Sequence, residues 1–164
     1  TPKVAESLVT FAGGMLGKSI GAGLDAIRAS LNSPRPAVYA AYYQPRGYEF
    51  ADVEESIRTV VRAGGHASIN LLCFPGVTDT PAEFEALSGL VERTGLHLIQ
   101  MRNLNLDPEV YRRALPRGTV RRGEGMRWLR DALADRFPRL RFGYFNPVVR
   151  AKRRGARPAA AATA

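Results

Sequence analysis

The central part of the chain alternates apolar runs of strand length with stretches that have the apolar spacing of helices. The runs at 24–31, 67–74 and 96–102 predict buried strands, and the intervening stretches predict helices at about 36–43, 50–63 and 81–94. Each crossover is long enough to return the chain for a parallel neighbour. The pattern predicts an α/β fold of parallel βα repeats, with the three strands side by side.

Local signals define the ends of these elements. Gly64 and Gly65 follow the second helix, where a left-handed backbone is needed. Thr80 precedes Pro81 and stands three residues before Glu83, which is the spacing of a capping box at a helix start. These signals support the boundaries inferred from periodicity.

The ends of the chain have different patterns from its centre. We divide the chain into residues 1–23, with an N-terminal helix over 2–11 and a glycine-rich segment; a domain over 24–150; and a tail over 151–164. The domain closes with a short helix opened by Asp107 and Pro108, a helix over 123–136 and a strand over 139–145. The tail is basic and alanine-rich, with no core-forming pattern, so we expect it to be disordered.

Composition limits the classes of function. The chain has 164 residues, of which 45% are hydrophobic, enough for one ordinary domain with a real core. It has no apolar run of membrane-span length and no signal-peptide pattern at its N-terminus, so we expect a cytoplasmic protein with no membrane contact. Cys73 is the only cysteine, which excludes an intrachain disulfide, and alternation places it on the helix side as a small core residue. His66 and His97 precede strands, at the end opposite the usual site, and are predicted to be structural.

The net charge of +9 is concentrated near the C-terminus. Residues 112–157 contain 15 Lys and Arg against three acids, whereas the rest of the chain is slightly acidic. Such a region is typical of a solvated helix face with a basic tail, and it is also suited to nucleic acid or another anionic partner. A non-catalytic nucleic-acid or protein interaction module using 112–157 is therefore the alternative function.

Polar side chains recur near the ends of the predicted strands. Strand alternation puts Ser30, Asn32, Asn70 and Arg102 on one face, opposite an apolar face suited to helix packing. Ser30, Asn32 and Arg102 are expected near the strand ends, and Asn70 deeper. Since parallel strands are usually apolar on both faces, this pattern predicts a barrel lumen or cleft that binds a polar ligand. Alternatively, the polar side chains pair with one another, with Arg102 held by an acid such as Asp79 or Asp107.

Three segments together resemble the later half of a radical S-adenosylmethionine (radical SAM) barrel. IRASLNS resembles the fourth strand, NLLCFPGVTDTPAEFEAL the fifth strand with its helix, and LIQMRNLNLDP the sixth strand. The resemblance covers roughly residues 22–115 and, more loosely, residues 123–147. It implies the later half of a partial TIM-like barrel, with S-adenosylmethionine (SAM) and a 4Fe-4S cluster as the cofactors of the full-length family. By matching position, Ser30 and Asn32 are candidate ribose or methionine contacts, and Asn70 and Arg102 are candidate contacts to SAM or substrate.

The sequence lacks the family's CxxxCxxC motif, and the resemblance therefore implies a fragment. Because thiolates hold the cluster, we expect none on this chain alone. The resemblance implies the C-terminal portion of a radical SAM enzyme from a truncated or split gene, inactive alone, with a missing N-terminal half carrying the cluster as its partner. The substrate is left open.

Overall fold

The computed structural model describes residues 3–5 and 24–143 of the chain. Within these residues, helices follow the strands in the order expected of βα repeats. The elements are β1 (Lys3–Ala5), β2 (Leu24–Leu31), α1 (Pro36–Tyr43), α2 (Phe50–Arg62), β3 (His66–Cys73), α3 (Pro81–Thr94), β4 (Leu98–Asn103), α4 (Pro108–Ala114), α5 (Met126–Arg136) and β5 (Arg141–Phe142).

All neighbouring strands of the sheet are parallel, and their order is β1–β2–β3–β4–β5, the order of the chain. Helices α2, α3 and α5 cover one face, where they form the main core with alternate strand residues such as Ile27, Ile69 and Ile99. This is the winding of a section of a TIM-like barrel, and it confirms the predicted α/β class. We call the opposite face of the sheet, which points away from these helices, the inner face.

A second, smaller core covers the carboxyl ends of the strands. Val38 on α1 and Tyr111 on α4 pack with Val77 from the loop after β3, and all three are nearly inaccessible to solvent. Tyr111 meets Phe74 edge-on, with ring centroids 5.0 Å apart. The strand ends are therefore partly roofed by α1 and α4, which determines which polar groups there are buried.

Two sequence predictions are corrected near the ends of the described region. The helix predicted over 2–11 is wrong at Lys3–Ala5, which form a strand paired with β2; the rest of that helix and the glycine-rich segment lie outside the described residues. The helix predicted from 123 begins at Met126, because the preceding backbone bonds instead to the loop after β3. The predicted last strand is observed as Arg141–Phe142, and the tail over 151–164 lies outside the described residues.

Candidate functional site

Three of the four predicted site residues, Ser30, Asn70 and Arg102, lie on the inner face. Ser30 on β2 and Asn70 on β3 are register partners, and Gln100 on β4 continues their row, so the row crosses three strands. Arg102 lies one row nearer the strand ends, opposite Leu72. Residues paired across a parallel sheet project to the same side, so these polar groups share one surface.

The row contains a polar pair that is only partly covered. The Asn70 amide donates a hydrogen bond of 3.4 Å to the Ser30 hydroxyl. Ser30 is exposed, whereas Asn70 is half-buried and its Oδ1 has no hydrogen-bond partner within the described region. Asn70 lies deeper in its own strand than Ser30 does, as expected, since it is three residues before the end of β3 and Ser30 is one residue before the end of β2; the register nevertheless places both at the same level of the sheet.

Arg102 is exposed at the end of β4. The two acids considered as its partners have carboxylates engaged by backbone N–H groups. Asp79 accepts from Gly76 and from the backbone N–H of residue 125, and Asp107 caps α4 by accepting from its first turn. The local geometry of these acids is thus explained by loop and helix capping.

Asn32 differs from the other three, since its side chain is fully buried. Its amide donates to the Val38 carbonyl and to the Tyr111 hydroxyl, both at 2.9 Å. It therefore ties the end of β2 to α1 and α4 beneath the second core. Its Oδ1 has no hydrogen-bond partner within the described region.

A buried carboxylate near the same strand ends was missed by the sequence analysis. Glu83, at the start of α3, accepts hydrogen bonds through Oε2 from the Ser33 hydroxyl (2.9 Å) and from Arg35 Nε (2.8 Å). Its side chain is inaccessible to solvent, and burial raises its pKa to about 7 against the opposing effects of Arg35 and Ser33. Thr80 caps the Glu83 backbone N–H as predicted, but no local signal could indicate that the carboxylate turns to residues 48–50 positions away.

The loop after β3 is fixed to the segment before α5. The Gly76 carbonyl accepts from Arg121 N (2.8 Å), and the Asp79 carbonyl accepts from Glu124 N (2.8 Å). A side chain at Gly123 would meet the Asp79 carboxylate. Because the Gly76 and Gly125 backbone N–H groups hold this carboxylate in place, there is no room for a side chain at Gly123, and the loop and the segment stay close together.

An iron–sulfur cluster does not fit this chain. The 164 residues contain one cysteine, and the cluster needs several thiolates. Cys73 packs against the helix-side core, and burial raises its pKa to about 11, so it is a protonated thiol at neutral pH. No group of three or more His, Cys, Asp or Glu side chains within the described residues is arranged to hold a metal ion.

Two other features of the described residues bear on the choice of site. A cavity of about 1040 Å³ lies between α1 and α2, lined by Tyr39, Tyr48 and the loop 44–49, and is separate from the predicted site residues. The described residues include no helix long and apolar enough to cross a membrane. The inner face is the candidate site because the polar side chains of the strands lie on it.

Comparison with known protein families finds no family that matches the sequence, and no curated protein is a significant match. Solved structures do match. The chain resembles the crystal structure of a radical SAM methyltransferase from Sphaerobacter thermophilus, with a TM-score of 0.58 and 16% identity over 85% of this chain and 39% of that chain.

A second similar structure is a domain of pyruvate-formate lyase-activating enzyme from Bacteroides vulgatus ATCC 8482. Its TM-score is 0.56 at 12% identity, over 87% of this chain and 81% of that domain. At these identities the likeness concerns the fold. The chain thus has a fold found within a radical SAM methyltransferase and spans 39% of that enzyme's length.

Proposed function

We propose that this chain is the C-terminal portion of a radical SAM enzyme and supplies half of the SAM-binding strand ends. The observation that carries the proposal is the row of Ser30, Asn70 and Gln100 on the inner face, with Arg102 above it, in a fold similar to a radical SAM methyltransferase. A ligand is supported by Asn70 Oδ1, which has no partner within the described residues although burial removes it from water.

The residues present fit the polar groups of SAM. In this proposal the Ser30 hydroxyl and the Asn70 amide bind ribose or methionine groups, and Arg102 binds the methionine carboxylate with a forked pair of hydrogen bonds. Asn32 is a positioning residue, since its amide is fixed by Val38 and Tyr111. In radical SAM enzymes, SAM supplies a radical when a cluster reduces it.

We propose that the 4Fe-4S cluster is supplied from outside these residues, because the single thiol of this chain cannot hold it. The partner is then a segment with a CxxxCxxC motif, on a separate chain or on the N-terminal half of a longer one. This chain alone binds SAM without cleaving it.

Isothermal titration calorimetry with SAM tests the proposal, first on this chain and then with the cluster-bearing segment added. We expect Arg102→Gln to weaken binding at least about tenfold, since a charge-assisted forked contact is lost. Arg127→Gln is the matched control, because Arg127 is exposed on α5. Equal affinity in both variants, or no SAM binding in either preparation, would contradict the assignment.

Anaerobic reconstitution with iron and sulfide tests the cluster separately. We expect no stoichiometric four-iron cluster on the isolated chain. A full complement of iron, with the absorbance of a 4Fe-4S cluster, would show that the cluster does not need a partner.

The alternative proposal is a nucleic-acid interaction module. It is favoured by the exposed arginines of α4 and the following loop, Arg112, Arg113, Arg117, Arg121 and Arg122. Filter binding would then show affinity that falls steeply with salt, because each neutralised phosphate releases counterions. Affinity that is absent at low salt, or insensitive to salt, would exclude this function.

A further inference from the structure

Gln100 extends the inner-face row onto β4, beside Asn70. The two residues are register partners on neighbouring parallel strands, so their side chains start about 4.8 Å apart on one face. Ile99 belongs to the helix-side core, and alternation therefore directs its neighbour Gln100 to the inner face. The inner face thus carries two carboxamide side chains next to each other.

The Gln100 side chain is buried without a hydrogen bond. Gln100 is 4% exposed, and its amide has no hydrogen-bond partner within the described residues. Leu98, the preceding residue on the same face of β4, is also buried, so the amide has an apolar neighbour. Burying a carboxamide without partners is unfavourable, because its N–H groups and its carbonyl oxygen lose their hydrogen bonds to water. Gln100 therefore has both donors and an acceptor available for a ligand.

Asn70 has an available acceptor beside it. The Asn70 amide N–H donates to the Ser30 hydroxyl, whereas its Oδ1 is buried and has no partner within the described region. A cavity of about 300 Å³ lies against Gln100 where β5 leaves the edge of β4 uncovered, and Phe142 and Gly143 contribute to its lining. A small group therefore has room next to Gln100.

We propose that Gln100 and Asn70 bind a ligand group in which an NH2 lies beside a hydrogen-bond acceptor. Gln100 can pair with such an edge through two hydrogen bonds, since its Nε2 donates to the acceptor and its Oε1 accepts from the NH2. The second N–H of the ligand then donates to Asn70 Oδ1. Primary carboxamides have this edge, and so does adenine. Gln100 has no role in the proposed SAM contacts, so its recognition of this edge does not depend on them.

The test is an NMR titration with adenosine, and separately with propionamide, followed at the side-chain NH2 signals of Gln100 and Asn70. The chain has two glutamines, so Gln44→Met and Gln100→Met assign both glutamine signals. We expect at least one ligand to shift the Gln100 and Asn70 signals with saturation. Saturation by adenosine alone identifies a nucleoside ligand, saturation by propionamide alone a carboxamide compound, and saturation by both shows that the edge itself is sufficient.

Methylated analogues and variants separate this recognition from weak surface binding. N6,N6-dimethyladenosine and N,N-dimethylpropionamide lack the NH2 hydrogens and should not bind. We expect Gln100→Met to weaken binding at least about tenfold, measured at the Asn70 signal, because two hydrogen bonds are lost while the side-chain volume is kept. Gln44→Met is the matched control, since Gln44 is exposed at the end of α1, and it should leave the affinity unchanged. Asn70→Leu, followed at the Gln100 signal, is a second variant expected to weaken binding, and circular dichroism would show that each variant is folded.

Three outcomes would overturn the proposal: saturation by neither ligand, equal binding of the dimethyl analogues, or equal affinities of Gln100→Met and Gln44→Met. The probes contain no methionine, so the result is independent of the calorimetric test with SAM. SAM binding without saturation by either probe would contradict the role of Gln100 alone. Saturation by a probe without SAM binding would contradict the proposed function alone.

Discussion

At the scale of single residues, the buried groups near the strand ends have partners that are distant in sequence. Thr80 and Glu83 have the spacing of a capping box, and the Thr80 half of it forms. The Glu83 carboxylate instead joins Ser33 and Arg35 across the top of β2 and β3. The result is a carboxylate without access to water, and desolvation makes its charged form unfavourable.

Glu83 predicts a pH dependence of stability. Its pKa is about 7 in the folded protein against a usual value of 4.5, so the folded state holds this proton more tightly than the unfolded chain does. Protonated Glu83 therefore adds to the free energy of unfolding, and this contribution is fully present below about pH 4.5. It is lost as pH rises through 7, which lowers the free energy of unfolding by up to about 3 kcal/mol. Glu83→Gln cannot titrate and lacks this loss.

Urea unfolding at a series of pH values from 5 to 8 would measure the effect as the difference between wild type and Glu83→Gln. The lowered pKa of His66 adds a slope of the opposite sign, which both proteins share and which cancels. Parallel stability curves for the two proteins would show that Glu83 keeps its usual pKa in the folded state.

At the scale of elements, periodicity and local signals predicted most boundaries. Strand β2 and helix α1 have the predicted bounds, and β3 and β4 shift by one or two residues. The failures involve partners elsewhere in the chain. Lys3–Ala5 form a strand because they pair with the edge of β2. Helix α5 begins later than predicted because the Glu124 backbone N–H donates to the Asp79 carbonyl. Alternation likewise grouped Ser30 with Asn70, whereas their common level depends on register.

The contact between the loop after β3 and the segment before α5 predicts a large cost for Gly76→Ala. Gly76 has φ +82°, and a Cβ there would lie 2.7 Å from the Arg121 carbonyl oxygen. Gly47 is a matched control with φ +75° and open space around it. Thermal or urea unfolding should show a loss of about 1 kcal/mol for Gly47→Ala and about 3 kcal/mol for Gly76→Ala, where steric strain is added. Equal losses would mean that the two segments separate readily.

At the scale of the whole molecule, the described sheet has incompletely paired edges. Strand β5 has two residues and pairs with Leu98 and Ile99 of β4, so Gln100–Asn103 have no strand partner on that side within the described region. An uncovered strand edge favours pairing with another chain. We therefore predict that the isolated chain self-associates as its concentration rises.

Sedimentation velocity over a wide range of protein concentrations would measure this association. The expected result is a weight-average sedimentation coefficient that increases with concentration. Adding a cluster-bearing partner that covers the edge should remove this dependence on concentration. A single monomeric species at every concentration, with concentration-independent unfolding, would contradict the prediction.

The strand order has a consequence for how the molecule is made. Each strand of the described sheet lies beside the strand synthesised just before it. The strand edge with which it pairs has therefore been synthesised before it leaves the ribosome. Folding can then proceed one βα repeat at a time during translation, and no strand waits to be inserted between two others. The same order lets evolution add or remove repeats at either edge without disturbing a central pair. A gene encoding this winding can therefore be divided between repeats while each product keeps contiguous, correctly neighboured strands.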